Sequence, residues 1–105
     1  MNRPGMRVSA VGIPWYRPDS YARVRALMRD GANLPETFEK WLYRAHKAEE
    51  QIHRAGNATI RVDLDLEEFP RFCRERGLDL DTNGRTRYAA FVAARMIQAN
   101  PGGQA

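Results

Sequence analysis

Asp79-Leu80-Asp81-Thr82-Asn83-Gly84 has the spacing of the first half of an EF-hand calcium loop. Oxygen ligands at the first, third and fifth positions, then a glycine bend, suit a hard divalent cation. This makes Asp79, Asp81 and Asn83 candidate metal ligands. The second half of the loop departs from the pattern. Ala90 stands where a bidentate glutamate belongs, Thr86 replaces a branched aliphatic residue, and Arg85 and Arg87 bring positive charge to the same stretch. The plainer reading is an Asp/Asn/Gly turn that caps a helix. A second candidate metal stripe is His46, Glu50 and His53, which stack at helical spacings of four and three. Glu50-Gln51-Ile52-His53 also matches the Glu-x-x-His element of di-iron bundles. Those sites need the element twice, and the chain has one copy. A solvated pair on a helix flank explains the same residues.

Nucleophilic and acid–base chemistry has few carriers. Cys73 follows Phe69 by four residues and Phe72 by one, which turns it inward as a small apolar side chain. Asp63 and Asp65 share one strand face and could form an acid–base pair, but Asp65 reads better as a helix cap. The sequence has no Gly-x-Ser-x-Gly elbow, phosphate-cradling glycine loop or His-Glu-x-x-His. The expectation is therefore a non-enzymatic domain without a cofactor.

Binding has a better candidate in Pro14-Trp15-Tyr16-Arg17-Pro18, where two aromatics and an arginine are held between prolines. Trp, Tyr and Arg dominate binding hot spots, so Trp15, Tyr16, Arg17 and the nearby Tyr21 are the predicted partner-binding residues. The same residue types stack on bases and contact phosphate. That makes nucleic acid the alternative partner, with Arg17, Arg23, Arg25 and Arg29 as its contacts. The simpler explanation is that Trp15 or Tyr16 folds over the core beside Trp41.

These residues need elements to hold them. Met6 to Ile13 reads as a short strand stopped by Pro14. Asp19 or Ser20 can cap a helix with Tyr21, Val24, Leu27 and Met28 inward, ended by Asp30-Gly31-Ala32-Asn33. Pro35 and Glu36 suit the start of the next helix. Its buried face carries Phe38, Trp41, Leu42, Ala45, Ala48 and Ile52, and Gly56-Asn57 closes it. Ala58 to Leu64 alternates as a half-buried strand. Asp65 and Glu68 form a capping-box pair, with Leu64 and Phe69 placed for a hydrophobic staple. They open a third helix that buries Phe69, Phe72 and Cys73 and ends at Gly77. Pro70 removes a donor there, so that helix either begins late or starts distorted. A last helix runs from Thr82 to Ala99 with Tyr88, Phe91, Val92 and Ile97 inward.

The predicted fold is α/β, mainly helical, in the order β-α-α-β-α-α. Its small two-stranded sheet is joined by a parallel crossover, with both connecting helices on one face. Residues 7–99 form one domain, 1–6 a flexible start and 100–105 a disordered tail. An exposed strand edge could recruit a second copy as a homodimer.

Gly12-Ile13-Pro14-Trp15-Tyr16, Leu34-Pro35-Glu36-Thr37-Phe38 with Trp41, and Phe69-Pro70-Arg71-Phe72-Cys73 with Gly77-Leu78 together resemble a group of short, uncharacterised bacterial proteins. The likeness spans roughly residues 11 to 90. Members of the group usually carry Trp where Phe72 stands and a non-proline where Pro70 stands. The resemblance implies a small bacterial domain and carries no activity or ligand with it.

Composition bounds the rest. The chain has 105 residues, 43% hydrophobic and 29% charged, which is enough for one modest core. No apolar run approaches the ~18 residues of a membrane span. The start, Met1 to Arg7, lacks the apolar stretch of a signal peptide. One cysteine excludes an internal disulfide, and a cytoplasmic location is expected. All but Lys40 and Lys47 of its 17 cations are arginines, giving a net charge of +4. They are spread along the chain and interleaved with acids rather than gathered in one block. The function expected from sequence is a macromolecule-binding domain with a protein partner. Nucleic-acid binding and a metal-responsive role are the alternatives.

Overall fold

The computed structural model describes residues 9–99. The predicted flexible start and tail lie outside that range, as do residues 6–8 of the predicted first strand. The elements are β1 (Ala10–Trp15), α1 (Tyr21–Leu27), a 3-10 turn (Gly31–Asn33), α2 (Phe38–Arg54), β2 (Ala58–Asp63), α3 (Glu68–Arg76) and α4 (Thr82–Ala99). The order is the predicted β-α-α-β-α-α. The strands pair in parallel, with Ala10 opposite Ala58 and Trp15 opposite Asp63. No helix among the described residues is long and apolar enough to cross a membrane.

The first strand does not stop at Pro14, which pairs with Val62 inside the ladder. Strand parity explains the tolerance. Ser9 O accepts from Ala58 N and Trp15 O from Leu64 N, so the odd-numbered residues of β1 bond to β2. The ring nitrogen of Pro14 faces the open edge, where no ladder bond is lost.

The same parity sorts the side chains into layers. Gly12 turns toward α4, where an added Cβ would stand 2.6 Å from Ala89 O. Thr59 and Arg61 turn the other way and bond Glu49 of α2. The sheet is thus a middle layer, with α2 on one face and α4 on the other. Of the two connecting helices expected to share a face, only α2 packs extensively on the strands. Helix α1 instead sends Tyr21 among rings beyond the strand ends, against Tyr16, Phe38 and Trp41.

Helix starts show where local chemistry decides. Helix α2 begins at Phe38, not Pro35, because the Thr37 hydroxyl accepts from Lys40 N at 3.1 Å. Ser20 stands at the cap position of α1 without a side-chain bond. Asp65 Oδ1 accepts from Glu67 N and Glu68 N, both at 2.8 Å, and this holds its carboxyl below the usual range. The Glu68 carboxylate does not return the bond. It accepts from Tyr88 Oη at 3.5 Å, so only half of the predicted capping box forms. Helix α3 begins late, at Glu68, which leaves Pro70 in the first turn, where an N–H has no helical acceptor. Gly77 ends it in the left-handed conformation, φ 67°.

Two buried faces differ from their predicted stripes. On α2, Glu49 is buried and Ala48 is exposed. On α4, the inward residues are Arg85, Tyr88, Ala89 and Ala93, with Phe91 37% and Ile97 51% exposed. Small residues face the sheet because the helix sits directly on Gly12. Phe69, Val24 and Cys73 are the largest of the fully buried side chains. Burying a phenylalanine such as Phe69 contributes roughly 1.5–3 kcal/mol.

Candidate functional site

The predicted aromatic corner is divided between core and surface. Tyr16 and Tyr21 are only 4% and 3% exposed, and burial pushes the Tyr16 hydroxyl up to about 12. Tyr16 lies 4.7 Å from the Trp41 ring centre. Trp15 meets Trp41 edge-on at 5.0 Å, so the corner closes over the core. Half-buried Trp15 and exposed Arg17 are what remain accessible, and Arg17 bonds Asp63 at 2.7 Å.

The four arginines predicted for nucleic acid differ in what holds them. Arg17 and Arg29 each hold an acid, Asp63 and Asp79 respectively. Arg23 is exposed, and Arg25 is half-buried with its Nε closed off from solvent.

The predicted metal residues are also placed separately. Helix α4 starts at Thr82, so Asn83 stands within a helix rather than in a loop. Asp79 is bonded by Arg29 Nη1 at 2.6 Å, and Asp81 Oδ1 accepts from Gly84 N at 3.1 Å as a cap. Gly84 is required there, because a Cβ would stand 2.2 Å from Asp79 O. On α2, the His46 ring lies 6.0 Å from the Trp15 ring, His53 contacts Thr59 Oγ1 at 3.2 Å, and Glu50 is exposed. Among the described residues, no group of three or more His, Cys, Asp or Glu side chains converges. Cys73 is buried, which raises its thiol, and it donates toward Asp79 O at 3.6 Å. Asp63 pairs with Arg17 and Asp65 caps α3, so the two do not act together.

Sequence reasoning missed two charge clusters. Arg61 lies 3.9 Å over the Trp15 ring and reaches both Glu49 oxygens at 2.8 Å, which lowers the Glu49 carboxyl. Arg85, 5% exposed, bonds Asp30 Oδ1 at 2.7 Å and Oδ2 at 3.2 Å, and Thr82 Oγ1 donates to the same carboxylate. Each had a signal in the sequence: a charged residue placed within an otherwise apolar helical stripe.

An open groove of about 580 Å³ lies between α3 and α4. Phe72 sits 5.4 Å from the Tyr88 ring and 5.3 Å from Phe91. Val92 and Met96, the latter 48% exposed, continue this apolar floor along α4. Arginines border it. The Arg76 guanidinium lies 4.1 Å over Phe72 and 4.7 Å over Phe91, and Arg95 lies 5.6 Å over Phe91. Arg71, Glu68 and Glu75 complete the α3 wall. The floor reads as core in sequence, since Phe91 recurs at helical spacing with Tyr88 and Val92. Among the described residues no further layer covers it, so this ring-lined groove stands open. Comparison with protein-family models, with curated proteins and with solved structures gave no match.

Proposed function

We propose that this chain is a non-enzymatic protein-binding domain that holds its partner in the groove between α3 and α4. The observation that supports it is the open apolar floor, in which Phe91 and Met96 stand exposed between two helices and under arginine rims. Aromatic and methionine surface bordered by arginine is the composition of interface cores, and scattered single apolar residues are not. The reading moves the docking surface away from the Trp15–Tyr16 corner, whose rings are largely spent on Trp41. It describes a cytoplasmic domain of the short bacterial kind that the sequence resembles. The lone Cys73, buried as an apolar side chain, suits a compartment that keeps thiols reduced.

A photoreactive residue placed at Met96 tests it in cells, with Tyr43 on the outer face of α2 as the control. Tyr43 is 65% exposed, more than Met96, so accessibility alone favours the control. Protein adducts concentrated at position 96, and lost when Phe91→Asp is added, are the expected result. Equal adducts at both positions, or adducts indifferent to Phe91→Asp, refute the groove as the docking surface.

A further inference from the structure

The groove's dimensions and charges also indicate what fits it, resting on the reading that α3 and α4 dock a protein. The α4 wall runs from Tyr88 to Ala99, three helical turns and about 17 Å at 1.5 Å per residue. A trough between two helices is filled by the ridges of a third, and a three-turn segment matches its length. The floor offers apolar contacts at helical spacing, with Tyr88, Phe91, Val92 and Met96 on one side and Phe72 on the other.

The rims decide the sign of the partner. Arg71 and Arg95 make no ion pair among the described residues, and Arg76 reaches only its chain neighbour Glu75, at 3.7 Å. The Glu68 carboxylate already receives the Tyr88 hydroxyl. The guanidinia of Arg76 and Arg95 rest on ring faces, which leaves their N–H forks without carboxylate acceptors apart from that one long contact. A carboxylate brought alongside would complete charge-assisted, two-pronged bonds over an apolar floor. We infer that the occupant is an amphipathic helix of about three turns with acidic residues flanking its apolar stripe.

The test uses the full chain and three designed helical peptides that share one apolar stripe and carry acidic, neutral or basic flanks. Backbone amide shifts locate the binding, and peptide fluorescence anisotropy measures it. The acidic peptide should bind at least about tenfold more tightly than the basic one at low salt, and the gap should narrow as salt screens the rims. Arg76→Glu with Arg95→Glu should reverse that order, and Arg95→Glu alone, at an exposed position, serves if the double variant does not fold. An unchanged order in either folded variant overturns the inference. So does equal binding of all three peptides in the groove, which leaves the docking surface standing. If no peptide moves the resonances of Phe91 and Met96, the groove reading falls as well. A single-stranded oligonucleotide that displaces the acidic peptide and binds more tightly would overturn it in favour of nucleic acid.

Discussion

Replacing Gly12 with alanine tests the seat of α4, and with it the position of one wall of the groove. The added Cβ would lie 2.6 Å from Ala89 O, 3.1 Å from Ala89 C and 2.7 Å from Ala93 Cβ. A carbon rests against a carbonyl oxygen at about 3.3 Å or more, so the helix must retreat by about 0.7 Å. The nearest obstacle is main chain and cannot rotate aside. Ala89 and Ala93 are also fully packed, which leaves no slack to absorb the shift. The expected loss is about 2–3 kcal/mol, the upper part of the range for overpacking. For a domain of this size that is a fall in Tm of roughly 8–20 °C. Urea and thermal melts followed by circular dichroism measure it, and an unchanged urea slope shows that the folded state keeps its compactness. Ala93→Gly should offset part of the loss, because it removes one of the two close contacts and leaves Ala89 O in place. The double variant should therefore cost less than the sum of the single ones. A Gly12→Ala protein within about 0.5 kcal/mol of the parent would refute the direct contact of α4 with β1, and the layered arrangement built on it.

Two further outcomes follow from the buried charges. Asp30→Ala strands Arg85 without its carboxylate and should cost about 3 kcal/mol, at the low end for a broken buried pair because Asp30 retains some water access. Arg85→Met in the same chain should recover much of it, and a double variant as unstable as Asp30→Ala would show that the bridge is not the cause. Acid should destabilise the fold from the ordinary carboxylate range downward. Asp30 is lowered chiefly by the Arg85 hydrogen bond, Glu49 by Arg61 and Asp65 by backbone N–H groups. The unfolded chain takes up protons near pH 4 before the folded one does, so stability is complete above that range and is lost as pH falls through the folded values. Alkali acts with the opposite sign at Tyr16, whose hydroxyl titrates at 10.0 when unfolded and about 12 in the core. Stability there is present below 10.0 and lost as pH rises toward about 12. Melts across both windows check this, and a flat profile in either one refutes the corresponding assignment.

Much of this architecture was legible in the amino-acid order because it depends on neighbours a few residues apart. The Gly77 helix end, the Asp65 cap, the bounds of α4 and the close of α2 at Gly56-Asn57 all follow from local hydrogen bonds and spacing. Even the warning at Pro70 was local, and a late helix start resolved it. Other features required the folded chain. Glu49 and Arg61 stand 12 residues apart and Arg85 and Asp30 55, and nothing in either local pattern specifies the partner. Trp15 and Tyr16 are adjacent and similar in chemistry, yet Trp15, the last residue of β1, stays half-buried beneath Arg61 while Tyr16, just past the strand, is buried against Trp41. The groove belongs to the same class. Phe91 reads as core by its spacing, and only the close seating of Ala89 and Ala93 on Gly12 rotates α4 so that Phe91 faces outward. Periodicity identifies an apolar stripe, but the shape of the opposing surface decides which edge of that stripe is covered.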